Sequence, residues 1–169
     1  MVVVLEDMAT ILNIFMRILD TTRRVYNKKI KEIKVCEFCN PTNIKKQACK
    51  NISSKYWLVF VNKYPYLDGN LMVIPRRHFV RVDEITAEEW IDLQDVIVRT
   101  QAVLTKLFKT KSFNLGLNIG KEAGASIEHM HWQVLPRKVE NQTAMNLFAD
   151  LHLVSMPPQE LRRKIGKLR

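Results

Sequence analysis

A short segment of this chain alternates polar and apolar side chains, and this alternation strongly restricts how the chain can fold. It reads His129, Met130, His131, Trp132 and Gln133. Successive side chains of a β-strand point to opposite faces of the sheet, so a strand here places both histidines and the glutamine on one face. Burying such a polar row costs free energy unless each group has a partner or binds a ligand. The segment therefore predicts either a structural polar network or a site for chemistry on one face of a buried strand.

A glycine-containing loop precedes this segment. Residues 118–126 include Gly120, Gly124, several small residues and the hydroxyl of Ser126. Glycines let backbone N–H groups approach an anion closely, as in phosphate-binding loops. Two alternating histidines are compatible with a hydrogen-bonded structural pair, but the adjoining loop favours a site for an anionic ligand.

The charge of the chain also favours anionic partners. The 169 residues carry a formal net charge of +10. A basic protein attracts nucleotides, polyphosphates or nucleic acid. The lysines and arginines are spread along the chain, which is typical of a solvated surface, and they are not interleaved with aromatic residues as in single-strand binders. The charge therefore leaves a nucleotide, a polyphosphate or nucleic acid open as the anionic partner, and the scattered basic residues count against nucleic acid.

We expect no membrane partner and no targeting segment. Apolar runs are far shorter than the roughly 20 residues that a membrane-spanning helix needs. The apolar start of the chain is interrupted by Glu6 and Asp7, lacks a basic lead and precedes no small-residue cleavage site, so it does not resemble a signal peptide. The sequence predicts a cytoplasmic protein.

The cysteines suggest a metal site. A chain with only Cys36, Cys39 and Cys49, and a predicted cytoplasmic location, does not point to a disulfide framework. The Cys-x-x-Cys spacing of Cys36 and Cys39 is that of half a zinc site or of a redox pair, or it is a coincidence. A second Cys-x-x-Cys pair is missing, so any further ligands would be histidines or carboxylates. Cys49 is expected to be a small buried residue.

The hydrophobic pattern predicts an α+β fold in three parts. Residues 1–34 are expected to form a helical extension, residues 35–140 the main domain, and residues 141–169 a tail with a short basic helix after Pro157. A capping signature beginning at Thr86 predicts the start of a long helix. Its apolar face includes Trp90, and it runs to about Lys109. Aromatic and β-branched content predicts strands at residues 55–62, 71–74, 113–118 and 129–135. Together they indicate an antiparallel sheet with one long helix on a face.

These residues resemble the histidine-triad (HIT) superfamily of nucleotidyl hydrolases and transferases. The resemblance covers about residues 35–137 and rests on the cysteine pair, the segment Ile-Pro-Arg-Arg-His that ends at His78, and the run that starts at His129. The tail from Pro157 also looks like that of longer bacterial members. Hydrolase branches read His-x-His-x-His, whereas the third position here is Gln133. His-x-His-x-Gln is the pattern of the galactose-1-phosphate uridylyltransferase and diadenosine tetraphosphate phosphorylase branches, and this short chain is more similar to the second.

The resemblance implies a HIT-like fold and substitution at the α-phosphorus of a nucleotide such as a dinucleoside polyphosphate. His131 matches the nucleophile, which forms a covalent nucleotidyl intermediate that phosphate or water then cleaves. Ser126, Asn118 and Gln133 match positions that contact phosphate oxygens, together with backbone N–H groups around Gly124. Because Gln133 does not titrate, it cannot protonate a leaving group.

The resemblance also implies a nucleoside pocket and a zinc site. Asn62 matches a ribose-contacting position, and Val61 and Met72 are expected to line the base pocket. Asn70 stands where many members carry histidine, so any contact it makes is left open. The ligands of zinc-bearing members match a tetrahedral structural set here: Cys36, Cys39, His78 and His129.

Alternatives to a phosphorylase stay open at this point. The same residues fit a hydrolase that uses water as the acceptor. A basic zinc module that binds nucleotides or nucleic acid without catalysis would need the histidine strand only for structure. A homodimer is an assembly that the resemblance allows.

Overall fold

The computed structural model describes residues 35–138 and 156–168. Its centre is a four-stranded antiparallel sheet of strand order β1-β2-β4-β3. The strands are β1 (Trp57–Val61), β2 (Leu71–Pro75), β3 (Phe113–Leu117) and β4 (Trp132–Pro136). The α+β class and the antiparallel sheet predicted from the sequence are confirmed. The helix predicted within residues 1–34 lies outside the described residues, and the three-part division of the chain stays a prediction.

Strands β1 and β2 separate two cores. All five residues of β1 are buried, and their aromatic and β-branched side chains suit a pleated surface covered on both faces. Val59 pairs with Val73 of β2, and both belong to the larger core. Phe60 and Met72, which also pair, point to the opposite face and form a second, smaller core with Phe38. This alternation defines a helix face and a second face, which we call the site face.

The long helix α2 covers the helix face. It spans Ala87–Phe108, after the short helix α1 (Pro41–Gln47) and two 3-10 turns at Lys50–Ile52 and Val82–Glu84. The hydroxyl of Thr86 accepts a hydrogen bond from the backbone N–H of Glu89, and the Glu89 carboxylate accepts one from the backbone N–H of Thr86. The predicted capping box is therefore confirmed. The predicted place of Trp90 on the apolar face is wrong, because its side chain is 49% exposed.

A C-terminal helix, α3, completes the helix face. It spans Pro158–Gly166 and buries Leu161 and Ile165 in the same core as α2. Asn51 donates from Nδ2 to the carbonyl oxygen of Ile165 at 3.0 Å. The sequence predicted this helix but not its packing into the main core. Within the described ranges, no helix combines the length and the apolar character that crossing a bilayer requires.

Strand β4 begins later than predicted. Its ladder starts at Trp132, and the preceding two histidines lie in an irregular segment that is anchored by a 2.8 Å hydrogen bond from the N–H of Met130 to the carbonyl of Phe79. The predicted alternation of faces nevertheless holds. Met130 and Val134 lie in the helix-side core, whereas His129, His131 and Gln133 are buried outside it.

Candidate functional site

A cavity opens on the site face beside the end of the histidine segment. It lies between β2, β4, the segment around residues 37–47 and the glycine loop. Of the residues predicted for catalysis and substrate binding, six line it: Asn62, Met72, Gly124, Ser126, His131 and Gln133. The fold thus brings together residues that are more than 70 positions apart in the sequence.

His131 has a fixed tautomer. Its side chain is only 7% exposed, and Nδ1–H donates to the carbonyl oxygen of His129 at 2.8 Å. Burial lowers the pKa of His131 below the ordinary value of 6.5, so the ring is neutral at pH 7. Because Nδ1 carries the proton, Nε2 keeps its lone pair.

Phe38 is a site residue that the sequence reasoning missed. Its ring packs edge-on against the rings of His131 and His129, with centroid distances of 5.2 and 5.8 Å. It also lines the cavity. Its position between Cys36 and Cys39 was the available hint, since a knuckle that binds metal brings the intervening residues close to the ligands.

Gln133 is held by a buried amide. Its Oε1 accepts a hydrogen bond from Nδ2 of Asn70 at 2.8 Å, and Asn70 is fully buried. Asn70 Oδ1 in turn accepts from Nδ2 of Asn62 at 2.9 Å and from the backbone N–H of Tyr66 at 3.2 Å. Asn62 Oδ1 accepts from the backbone N–H of Tyr64 at 2.9 Å. The contact of Asn70, left open by the sequence, is therefore with the third residue of the motif.

The glycine loop offers fewer donors than predicted. Gly120 and Gly124 both adopt positive φ angles, 84° and 88°, which glycine tolerates without strain. The N–H of Gly124 donates to the carbonyl of Lys121, and the N–H of Ala125 to that of Gly120. Two of the predicted backbone donors are therefore engaged within the loop, whereas the hydroxyl and N–H of Ser126 make no hydrogen bond within the described residues.

Two predicted substrate contacts lie outside the cavity lining. Val61, expected to line the base pocket, is buried in the helix-side core with Val59, because alternate residues of β1 face α2. Its contact with a base stays a prediction. Asn118 is half-buried beside the loop, with Nδ2 3.4 Å from the position that a Cβ on Gly124 would take. The structure thus places Asn118 against the loop backbone.

Four side chains converge beside the cavity to form a cluster that can hold a metal ion. The ligand atoms of Cys36, Cys39, His78 and His129 all lie within 4.8 Å of one another. Nδ1 of His129 is 3.4 Å from Sγ of Cys36 and 3.5 Å from Sγ of Cys39, and Nδ1 of His78 is 3.5 Å from Sγ of Cys39. These are the four residues that the resemblance implied.

The electrostatics of this cluster suit a cation. Nε2–H of His129 donates to the carbonyl oxygen of Pro75 at 3.0 Å, which leaves the Nδ1 lone pair facing the sulfurs. Burial lowers the pKa of His129 to about 4, so this ring is neutral. Burial and the neighbouring Cys36 raise the pKa of the Cys39 thiol to about 11. The Cys39 thiol therefore resists deprotonation unless a positive charge lies beside it.

The fold and the site define an α+β protein with a neutral histidine in a cavity next to a Cys2His2 cluster. The HIT domain family matches residues 44–140, more than half of the chain, and the chain belongs to this family.

Two relatives and one solved structure illustrate the match. The chain is 35% identical over 85 residues to the bis(5′-nucleosyl)-tetraphosphatase [asymmetrical] of Schizosaccharomyces pombe, covering 50% of this chain and 47% of that protein. It is 37% identical over 78 residues to the AP-4-A phosphorylase of Mycobacterium tuberculosis, covering 46% of this chain and 40% of that protein. It therefore spans less than half the length of either.

The structural comparison shows the same fold. A Zn-bound histidine triad family protein from Mycobacterium smegmatis superposes with a TM-score of 0.55 at 19% identity, covering 70% of this chain and 88% of that one.

Proposed function

We propose that this chain is a nucleotidyl transferase or hydrolase that cleaves at the α-phosphate of a dinucleoside polyphosphate or a related nucleotide. The observation that carries the proposal is the hydrogen bond from Nδ1–H of His131 to the carbonyl of His129. It supports a neutral imidazole with a nucleophilic Nε2 in the cavity. The names of the two relatives, a tetraphosphatase and a phosphorylase of dinucleoside tetraphosphates, support the substrate class.

In the first step, Nε2 of His131 attacks the α-phosphorus. A P–N bond forms, the P–O bond to the rest of the substrate breaks, and the remaining nucleoside polyphosphate departs with the electron pair of that bond. The ring gains positive charge in the covalent nucleotidyl intermediate, and the proton stays on Nδ1. The carbonyl of His129 stabilises this charge through the bond it already makes. In the second step the acceptor displaces His131 from phosphorus.

Two side chains are assigned to the phosphoryl oxygens. The hydroxyl and N–H of Ser126 and the amide N–H of Gln133 act as donors for the negative charge that develops in the transition state. Both residues line the cavity together with His131. Gly124 supports the backbone turn that precedes Ser126, and Asn118 supports the same loop. A direct contact of Asn118 with phosphate stays a prediction.

The glutamine favours an anionic acceptor. Gln133 has no proton to exchange near neutral pH, so it cannot serve as a general acid or base. A polyphosphate can leave as an anion and inorganic phosphate can attack as an anion, and neither step needs a proton from position 133. Water has to lose a proton when it attacks. We therefore favour phosphorolysis, with hydrolysis by water as the slower alternative.

The nucleoside is assigned to the part of the cavity lined by Asn62 and Met72. Met72 is buried in the smaller core at the cavity wall, and its flexible thioether suits contact with a base. Asn62 is assigned to the ribose.

We further propose that the Cys2His2 cluster binds Zn2+. Tetrahedral zinc, with Zn–S bonds of about 2.3 Å and Zn–N bonds of about 2.0 Å, holds sulfur and nitrogen ligands about 3.5 Å apart. The measured sulfur–nitrogen distances are 3.4, 3.5 and 3.5 Å. The hydrogen bond from His129 to Pro75 is the outer contact that fixes a ligating imidazole. The donor set therefore fits zinc.

The role of the metal in this proposal is structural. When bound, zinc would join the loop of Cys36 and Cys39 to His129, whose carbonyl oxygen fixes the tautomer of His131. The same loop carries Phe38, which packs against the ring of His131. The homodimer and the cytoplasmic location stay predictions of the sequence.

An assay with diadenosine tetraphosphate, with and without inorganic phosphate, tests the reaction. We expect ATP and ADP when phosphate is present, and a slower release of ATP and AMP when it is absent. His131→Ala should abolish both reactions while circular dichroism and metal content stay unchanged. Turnover by that variant would contradict the proposed function, and products independent of phosphate would contradict phosphorolysis. No turnover by the native chain, with strongly salt-dependent binding of DNA or RNA, would favour the non-catalytic zinc module.

Metal analysis of purified variants tests the zinc site. We expect native protein to carry stoichiometric zinc and His78→Ala and Cys36→Ala to lose it. Cys49→Ala is the matched control, because Cys49 is buried in the helix-side core away from the cluster. Zinc retained in full by His78→Ala would refute the ligand set.

A further inference from the structure

Three buried side-chain amides form a continuous chain that ends at the cavity. Nδ2 of Asn62 donates to Oδ1 of Asn70 at 2.9 Å, and Nδ2 of Asn70 donates to Oε1 of Gln133 at 2.8 Å. All three residues are less than 10% exposed, and Asn70 is completely buried. This row of amides runs from the β1–β2 connection to β4, and Asn70 and Gln133 are 63 positions apart in the sequence.

Backbone groups set the direction of every amide in this chain. The N–H of Tyr66 can only donate, so the Asn70 atom that faces it is Oδ1. The carbonyl of Leu71 can only accept, so the other end of the Asn70 amide, 3.2 Å away, is Nδ2. The N–H of Tyr64 fixes the amide of Asn62 in the same way. Asn70 therefore presents N–H to Gln133, and Gln133 must answer with its oxygen.

This direction determines what Gln133 offers to a ligand. Since Oε1 is held by Asn70, the NH2 group of Gln133 is left for the cavity that its side chain lines. Within the described residues, Nε2 of Gln133 has no hydrogen-bond partner of its own. The reverse orientation would put a carbonyl oxygen beside a phosphate, where it would repel the developing negative charge.

We propose that Asn70 is a positioning residue that orients the donor face of Gln133 toward the phosphate. This inference rests on the proposed function, because it assigns the direction of one of the donors in that site. The backbone N–H of Tyr66 and the carbonyl of Leu71 fix the polarity, and Asn70 transmits it to Gln133. None of these three side-chain amides titrates near neutral pH, so no group has to be protonated to hold the orientation of Gln133.

Asn70→Asp is the sharpest perturbation, because it keeps the shape of the side chain and replaces its only donor with an acceptor. The amide of Gln133 then gains a partner only by rotating, so that Nε2–H faces residue 70 and Oε1 faces the phosphate. We expect kcat to fall about 100-fold, as when a preorganised donor is removed, while KM changes little. Asn70→Ala, which adds no charge, should show a smaller loss in the same direction and serves if Asn70→Asp does not fold.

A double-mutant cycle separates orientation from general damage to the fold. Gln133→Ala combined with Asn70→Asp should be no slower than Gln133→Ala alone, because the group that Asn70 orients is gone. Asn51→Asp is the matched control: it removes an amide donor to α3 on the helix face, and its kcat should equal that of the native chain. A native kcat in Asn70→Asp, or losses that multiply in the double variant, would overturn the inference.

A readout independent of turnover distinguishes this failure from failure of the proposed function. Turnover by His131→Ala would refute the proposed function, but it would not contradict the hydrogen bonds that orient the Gln133 amide. The side-chain 15N–1H signals of Gln133 should shift when AMP is added to the native chain, because its NH2 group meets the phosphate. The shift should disappear in Asn70→Asp. An equal shift in both proteins, or none in the native chain, would overturn the proposed orientation.

Discussion

Gly69 lies in the connection between β1 and β2, next to Asn70, and its replacement by alanine should destabilise the fold strongly. Its φ angle is +85°, and a Cβ there would lie 2.5 Å from Cγ of Pro136 and 2.7 Å from Cε2 of Phe108. The left-handed backbone costs an L-residue about 1–2 kcal/mol, and overpacking against buried rings costs about 1–3 kcal/mol more. We therefore expect Gly69→Ala to lose about 2–5 kcal/mol of unfolding free energy.

The chain provides a matched control for the steric part of this loss. Gly120 has nearly the same φ angle, +84°, but the nearest atom to its added Cβ is a flexible Glu122 oxygen at 4.0 Å. Gly120→Ala should lose only about 1–2 kcal/mol of unfolding free energy, which is the cost of the left-handed backbone. Both substitutions restrict the unfolded chain equally, so this effect cancels when the two variants are compared.

Urea unfolding followed by tryptophan fluorescence measures both losses. With a slope of about 2 kcal/mol per molar urea, the midpoint should fall by about 1–2.5 M in Gly69→Ala and by about 0.5–1 M in Gly120→Ala. Equal losses in the two variants would refute the reasoning, because they would show that contact with Pro136 and Phe108 costs nothing.

Two further predictions concern the packing around α2. Leu161→Ala should cost about 2–5 kcal/mol in urea unfolding, because Leu161 is buried in the main core; a loss below about 1 kcal/mol would mean that α3 is an appendage. Hydrogen bonds from Arg77, and a lesser one from Thr86, hold the pKa of Glu89 below its ordinary 4.5. The stability it contributes is therefore present above pH 4.5 and is lost as the pH falls through the lower folded pKa. The stability difference between native protein and Glu89→Gln should shrink in that range, and a difference independent of pH would contradict this.

Local sequence patterns predicted most of the architecture. The capping box at Thr86 and Glu89 is a contact between residues three apart, so its outcome needed no knowledge of the rest of the chain. The alternation around His131 likewise gave the correct faces, although the ladder itself begins only at Trp132. Patterns of this kind are reliable because they follow from the geometry of a single strand or helix.

The errors arose where burial depends on a distant partner. Trp90 has the spacing of a core residue, yet α2 turns a neighbouring stripe toward the sheet. Val61 was expected to line the base pocket, but it lies in the helix-side core, because the packed fold decides which face of β1 the helix α2 covers. Neither outcome follows from composition or spacing alone.

The sequence by itself determined which residue types were available: a histidine with a glutamine two residues on, a glycine loop, and two cysteines with two histidines for a metal. Only the tertiary structure decided how their atoms face one another. Cys36 meets His129 across 93 positions and Asn70 meets Gln133 across 63. The direction of the Gln133 amide depends on backbone groups of Tyr66 and Leu71 that lie close to Asn70 in the sequence, and Asn70 reaches Gln133 only when β2 pairs with β4. Hydrogen bonds are directional and short in range, so their polarity is set by the packed fold and cannot be deduced from residue identity.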